Sequence, residues 1–562
     1  MDKINKYIKQ AGEFLWSYKF TILCLAYFCV ISVLALYIVS KPALVNALSF
    51  VLILNILAKT KYSLWISIIL AIFVSFDAYF AFVYSNQMSI GTMASILETN
   101  PTEAAGVMSE AVMPAIAVLV ASLFLILMSQ RELKASKLSR KVSLILLLGY
   151  WVIVMPAIAY WKIKSLKYED FIANMPVIGI HSVVASNFPL VYGDMSTFIA
   201  YQHEMYQMRK FLDLEKQMPT GVQFNTGKES PEKIFFIIGE SAGRSHYSLY
   251  GYPQKTSPFF DSLAYAAPDV LHHYDAYSPA SITRDALRII LSFSTPKDVK
   301  PFFENFNIID LANKAGYETV WISNQDKVGE SESYIGFVSA NATESYFEKD
   351  FAKEDLKLLT YIQEAYKPDK KQFFVVHLLG SHVPYNERYD EEDALALPGK
   401  KTKMLEYDRS IHHTDRLLRN IYDIMQQDSS SVLYYFSDHA ELVDNGGHGV
   451  LVFDQGLFDV PLVTINNSPL PVDSIVYRYI DPETSLINTS SSIYILSEIM
   501  GYEVTDEVVE KATEAGKYIF HVDKNTYPYI DMGKKYLPPH HSDVRVDKVL
   551  YVGLQSRAGL NP

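Results

Sequence analysis

The chain has 562 residues, a formal net charge of −12 and a hydrophobic fraction of 49%, with a mean hydropathy of +0.07. It is too long for one ordinary domain, and its acidic balance disfavours nucleic acid as a partner. Its only two cysteines, Cys24 and Cys29, both fall in the first apolar run, so everything beyond that run is built without disulfides.

From the N-terminus, five segments reach or approach the about 20 apolar residues that a transmembrane helix needs. They are Phe20–Val39, Ala43–Ala58, Tyr62–Val83, Met113–Met128 and Val142–Trp161. The first does not read as a cleaved signal peptide, because no small-residue cleavage site follows it and further spans crowd in behind. Lys and Arg in the short loops set the orientation. Lys3, Lys6 and Lys9 precede the first span, Lys59 and Lys61 separate the second from the third, and Arg131, Lys134, Lys137, Arg140 and Lys141 separate the fourth from the fifth. The alternate loops hold Lys41 alone, then Ser85–Val112 with Glu98, Glu103 and Glu110 and no Lys or Arg. The pattern puts the N-terminus in the cytoplasm and everything after Trp161 outside.

Residues 162–228 are rich in Met and aromatic side chains, as in FIAYQHEMYQMRKFL, and begin with Lys162, Lys164 and Lys167. This texture fits interfacial amphipathic helices, and equally a linker packed on the next domain.

From Glu229 the chain alternates short apolar strands with helical stretches, the pattern of an α/β fold with a mainly parallel sheet. Expected strands are Lys233–Ile238, Glu318–Ile322, Gln372–Leu378, Val432–Phe436 and Pro461–Ile465. Their near-continuous apolar character suits a sheet covered on both faces. Expected helices are Phe306–Ala315 after Asn305, Ala352–Tyr366 and Lys403–Gln427.

Ligand sites in open α/β sheets gather beyond the carboxyl ends of the strands. There the sequence places Glu240 and Ser241, then Ser323 and Asn324, then HLLGSHVPY with His377 and His382, then SDHAELVDNGGHG with Asp438, His439 and His448. Any one of these has an ordinary structural reading. Asp438 can cap a helix, Glu240 can pair with Arg244, and His377 can be a satisfied core histidine. Their recurrence at one sheet edge is what points to a metal site, with the glycines at 446–449 folding His448 back towards Asp438. The residues alone leave the nucleophile open among Ser241, Ser281 and Thr283, the last two in YSPASITRDALRIILSF before a helix rich in Leu and Ile. Free N–H groups at such a helix start favour an anionic reaction partner, although a Ser or Thr there is also a common cap. His272-His273, His412-His413 and His540-His541 read as surface, packing or loop residues.

Five apolar spans followed by a strand ending GES, then SLYGYP, GSHVPY, FSDHAE and GGHG, resemble the bacterial phosphoethanolamine transferases over essentially the whole chain. These enzymes modify lipid A, lipopolysaccharide core or other envelope acceptors, and belong to the alkaline phosphatase and sulfatase superfamily. The resemblance implies a five-helix α transmembrane domain over 1–161, bridging helices over 162–228 and a periplasmic α/β domain of sulfatase type over 229–562. It implies Zn2+ held by Glu240, Thr283, Asp438 and His439, with Thr283 as nucleophile, and His382 and His448 as catalytic and substrate-binding histidines. Asn324 and His377 match further substrate-binding positions. The activity implied is transfer of phosphoethanolamine from phosphatidylethanolamine to lipopolysaccharide or another acceptor, at the bacterial inner membrane. The family's Cys-Gly-Thr around the nucleophile is here Ser281-Ile282-Thr283. Competing readings are glycerophosphate transfer of lipoteichoic acid synthase type, a membrane-bound sulfatase or phosphodiesterase, and a non-enzymatic sensor or scaffold.

Overall fold

The computed structural model describes the chain except residues 1, 37–40, 62, 85, 86, 89, 99, 100, 166–175, 212–214, 326–333, 349–354, 444–446, 449–451, 523, 524 and 534–562. The chain divides into two compact units, one of residues 1–93, 110–203 and 535–562, the other of 94–109 and 204–534. The loop Ser85–Val112 and the histidines at 540 and 541 lie wholly or partly outside the described residues.

In the first unit, three helices are long and apolar enough to cross a membrane: Ser63–Phe82, Val112–Lys134 and Arg140–Lys164. Two shorter apolar helices, Lys19–Ala35 and Leu44–Ala58, occupy the first two expected spans. A count of five spans would require these to cross as well. The Arg140–Lys164 helix contains a π turn at Tyr150–Val154, closed by the Met155 N–H donating to the Tyr150 carbonyl. Pro156 follows directly, and its missing N–H accounts for the local widening.

Backbone groups at helix ends have no intrahelical partner, and here side chains supply them. Glu132 accepts from the Phe20 and Thr21 N–H groups at 3.0 and 2.8 Å, capping the helix Lys19–Leu36. Asn46 donates to the Pro189 carbonyl at 2.7 Å and accepts from the Tyr150 hydroxyl at 2.9 Å. Phe28, Phe50, Leu54, Ala71 and Val74 fill the core between these groups.

The second unit is built on an eight-stranded sheet. Its strands are β1 (Lys233–Gly239), β2 (Leu271–Tyr277), β3 (Glu318–Ser323), β4 (Glu344–Phe347), β5 (Gln372–His377), β6 (Ser431–Ser437), β7 (Asp459–Asn467) and β8 (Ile487–Asn488), in the order β4-β3-β5-β1-β6-β7-β2-β8. Five pairings are parallel, whereas β7 runs antiparallel to both β6 and β2, so the sheet is mixed. All residues of β1, β5 and β6 are buried, as their unbroken apolar runs require.

β2 has no counterpart among the expected strands. Its sequence LHHYDAY alternates buried with partly exposed positions, and two histidines and an aspartate mask the apolar face. The helix expected from Phe306 starts at Ile308, because Asn307 accepts from the Ile309 and Asp310 N–H groups and completes a capping box with Asp310. Of the stretch expected as a helix over Ala352–Tyr366, residues 352–354 lie outside the described residues, and Leu358–Ala365 is α-helical.

Registry aligns the strand ends. Ser323 pairs with His377, His377 with Ile238, and Ser437 with Gly239. The residues that follow therefore emerge along one edge.

Candidate metal and transfer site

Glu240 leaves β1, and Asp438 and His439 leave the neighbouring β6, all three essentially buried. Ser241 sets the spacing between the two carboxylates: its N–H donates to Asp438 Oδ1 at 3.1 Å and its hydroxyl to Glu240 Oε1 at 2.9 Å. To do both it adopts φ +57°, a left-handed conformation that costs a non-glycine residue about 1 kcal/mol or more. The Tyr407 hydroxyl holds that turn, donating to the Ser241 carbonyl at 2.6 Å and accepting from the Gly243 N–H at 2.7 Å.

Thr283 opens the helix Thr283–Ile290. Its hydroxyl lies 3.1 Å from Glu240 Oε2 and 3.3 Å from His439 Nε2. His439 Nε2 is in turn 3.3 Å from Glu240 Oε1 and 3.4 Å from Asp438 Oδ2. The Nδ1–H of His439 donates to the Ala440 carbonyl at 3.0 Å, which leaves Nε2 turned into the cluster. Of the hydroxyls that the sequence left open, Ser281 Oγ is buried without a hydrogen-bond partner and Ser241 is committed to Glu240. Ser278 donates to the Asp438 carbonyl and so braces the backbone below.

His448 reaches the same place by the expected fold-back, with Gly447 N–H donating to the Leu442 carbonyl at 3.0 Å. Its ring centre lies 4.4 Å from that of His439 and 5.6 Å from that of His382. His382 donates from Nδ1 to the Val383 carbonyl at 2.7 Å. Two further residues enter the site without having been singled out in the sequence. Glu441, buried, accepts from His448 Nδ1 at 2.6 Å, and Gln325 Nε2 donates to Glu240 Oε2 at 3.2 Å and to the Leu378 carbonyl at 2.9 Å. The signals available were the carboxylate two residues beyond the Asp-His pair and the second of the two amides that follow β3.

Asn324 and His377, by contrast, lie behind the cluster. Asn324 is fully buried and donates to Asp355 Oδ1 at 2.8 Å. His377 is fully buried with Nδ1 3.3 Å from the Ser323 hydroxyl, and burial pulls its pKa down to about 4, so it is neutral.

The charges explain what the cluster lacks. Burial raises the cost of ionising Glu240, but contact with His439 outweighs it and holds the carboxyl well below the usual range. Burial and then the Glu240 charge push Asp438 up to about 7, and its Oδ2 has no hydrogen-bond partner among the described residues. Burial opposes charge on His439, but Asp438 and Glu240 prevail and raise it to about 10. Buried carboxylates with an orphaned oxygen call for a cation. Glu240, His439 and His448 can each place a ligand atom within 4.8 Å of the others, and carboxylate oxygen with imidazole nitrogen is a donor set suited to zinc. A second group, Asp390, Asp393 and His413, is also that close. There Arg416 Nη1 already sits 2.7 Å from Asp390 and 2.9 Å from Asp393, so a guanidinium supplies the charge.

Residues 232–501 match the Sulfatase family model. The chain is 28% identical over 269 residues to the phosphoethanolamine transferase EptC of Escherichia coli, covering 44% of this chain and 46% of that one. To the phosphoethanolamine transferase CptA of Salmonella typhimurium it is 24% identical over 386 residues, 64% of this chain and 65% of the other. The chain spans about half the length of the first of these relatives. Its fold is similar to that of the integral membrane lipooligosaccharide phosphoethanolamine transferase A (EptA) of Neisseria meningitidis, with a TM-score of 0.55 at 18% identity over 82% of this chain and 88% of that one. Residues 232–501 thus resemble the sulfatase family, and the chain is similar to bacterial phosphoethanolamine transferases over 44% to 64% of its length.

Proposed function

We propose that this protein is a zinc-dependent phosphoethanolamine transferase of the inner membrane, with its sulfatase-type unit in the periplasm. It moves phosphoethanolamine from phosphatidylethanolamine to lipopolysaccharide, on core or lipid A, through a phosphothreonine at Thr283. The observation that carries this reading is the Thr283 hydroxyl at a helix start, 3.1 Å from Glu240 and 3.3 Å from His439. Five membrane spans, the two shorter apolar helices included, fit a donor that is a bilayer lipid.

Glu240, Asp438 and His439, with Thr283 completing four ligands, would hold the zinc ion. When bound, zinc supplies Lewis acidity that lowers the hydroxyl pKa and offsets charge on the phosphoryl oxygens. In the first half-reaction Thr283 Oγ1 forms a bond to phosphorus, its hydrogen passing to the neighbouring Asp438, the carboxyl that burial and the Glu240 charge raise to about 7. The bond from phosphorus to the diacylglycerol oxygen breaks, and that oxygen takes a proton from His382 or His448. The dipole at the start of the Thr283–Ile290 helix favours the anionic phosphoryl group beside Thr283. In the second half, the acceptor oxygen loses its proton to the histidine and attacks phosphorus, and Thr283 leaves with a hydrogen restored. Glu441 keeps Nδ1 of His448 occupied and so directs Nε2 to this exchange.

Thr283→Ala tests the reading. Mass spectrometry of lipopolysaccharide from cells producing the variant should find phosphoethanolamine reduced by on the order of 10³-fold or more, with membrane levels of the protein unchanged. Near-normal modification would overturn the nucleophile. A glycerophosphate adduct in its place would move the protein to the other transferase class.

A further inference from the structure

Asp355 lies outside every motif named so far, yet its carboxylate is buried and fully used. Oδ1 accepts from Asn324 Nδ2 at 2.8 Å and from the Leu379 N–H at 2.9 Å, and Oδ2 accepts from the Gly380 N–H at 2.8 Å. One carboxylate thus ties the turn after β3 to the turn after β5. A carboxylate receiving three N–H bonds is a strong, directional fixture.

Both tied turns reach the candidate site. Asn324 is followed by Gln325, which donates to Glu240 Oε2 at 3.2 Å. Gly380, at φ +52°, lies so close to Glu240 that an added Cβ would fall 2.7 Å from the Glu240 carbonyl oxygen and 2.8 Å from its nitrogen. Ser381 N–H donates to the same carbonyl at 2.9 Å, and His382 N–H bonds back to the Leu379 carbonyl at 3.2 Å. The Arg388 guanidinium clamps the far side, Nε donating to the His382 carbonyl at 2.9 Å. A shift of the Leu379–Gly380 backbone therefore moves the Glu240 carboxylate and the His382 ring together.

We propose that Asp355 is a positioning residue for the transfer site, setting Gln325 against Glu240 through Asn324 and presenting His382 through the Leu379–Gly380 backbone. The inference rests on the reading of Glu240 as a metal ligand and His382 as an acid–base group. Asp355→Asn is the discriminating change. It keeps the shape, but its amide nitrogen must face an N–H donor that now has no acceptor. Outer-sphere partners of this kind typically matter by about 10- to 100-fold in metal affinity or activity.

The experiment uses the full chain in vesicles of phosphatidylethanolamine with a labelled acyl chain, reading diacylglycerol release. Asp355→Asn should lower kcat by about 10- to 100-fold with KM little changed, and zinc affinity, measured by chelator competition, should fall in the same range. Hydrogen exchange at the Leu379 and Gly380 amides should quicken. In a His382→Ala background at saturating zinc the kcat effect of Asp355→Asn should shrink, because the route through His382 is already lost. Asp355→Glu should recover part of the zinc affinity. Full multiplicative loss in the double variant, or activity that simply follows the folded fraction, would overturn the proposal. If the unmodified protein releases no diacylglycerol, the transferase reading fails, and zinc affinity and exchange still decide on Asp355: both unchanged in Asp355→Asn would refute its role.

Discussion

Both units of this protein bury carboxylates, and they treat them in opposite ways. In the apolar unit, polar groups close on nearby partners: the half-buried Glu132 caps a helix start, and the buried Asn46 is shared between Pro189 and Tyr150. The acid pair Asp77 and Asp194 is the exception, each with a buried Oδ2 that has no hydrogen-bond partner among the described residues. In the second unit, Glu240 converges with His439 and His448, and the neighbouring Asp438 keeps an Oδ2 with no hydrogen-bond partner among the described residues. Burial settles the charge of Asp194 by protonation, whereas carboxylates ringed by imidazoles are suited to a cation. The distinction can be broken by removing either pair.

The largest effect belongs to Asp438→Asn. Zinc at a thousandfold excess over its Kd should stabilise the unmodified protein by about 4 kcal/mol. The variant should lose that gain and its activity, while its metal-free form melts no lower, since an orphaned oxygen has been removed. Thermal melts of the full chain with and without zinc read both. Equal stabilisation of the variant by zinc would mean that the acids do not form a metal site.

The sequence made some of this contrast readable and hid the rest. β1, β5 and β6 announce themselves because both faces are covered, so nothing polar interrupts them until the strand ends, where Glu240, His382 and Asp438 appear. Thr283 could not be separated from Ser241 and Ser281 by residue type, because only the tertiary fold brings one hydroxyl within 3.3 Å of His439. Gln325, Glu441 and Asp355 were missed for the same reason: their partners are 85, 7 and 24 to 31 residues away in sequence, and their closeness to the strand ends does not by itself show those contacts. Asn324 and His377, also at the strand ends, are fully buried with Asp355 and Ser323 as neighbours.

A smaller effect is expected from Asp194→Asn. Burial pushes Asp194 up to about 7, far above an unfolded aspartate. The folded chain therefore holds a proton that the unfolded chain has lost, and stability from this group declines as pH rises from about 4 to about 7, then levels off. Asp194→Asn should abolish that decline, so that it melts at about the same temperature as the unmodified protein at pH 4 and higher at pH 8. Melts across this range in detergent provide the check. A variant that is less stable at every pH would place a bound cation, not a proton, between the two acids, and the contrast between the units would collapse.

The smallest effect separates backbone conformation from fit at the sheet edge. Gly251 and Gly380 both have positive φ, +94° and +52°, but an added Cβ at Gly251 meets nothing within 4 Å, whereas at Gly380 it meets the Glu240 backbone at 2.7 Å. Gly251→Ala should cost only the left-handed conformation, about 1 kcal/mol, and leave zinc affinity alone. Gly380→Ala should cost more and also weaken zinc binding, because relief of the clash must displace either Glu240 or the turn that carries His382. Paired melts and chelator competition on the two variants isolate the second contribution. If both alanines cost the same and neither touches zinc affinity, the close approach of Gly380 to Glu240 is packing alone, and the rigidity of the metal carboxylate must come from Ser241 and Gln325.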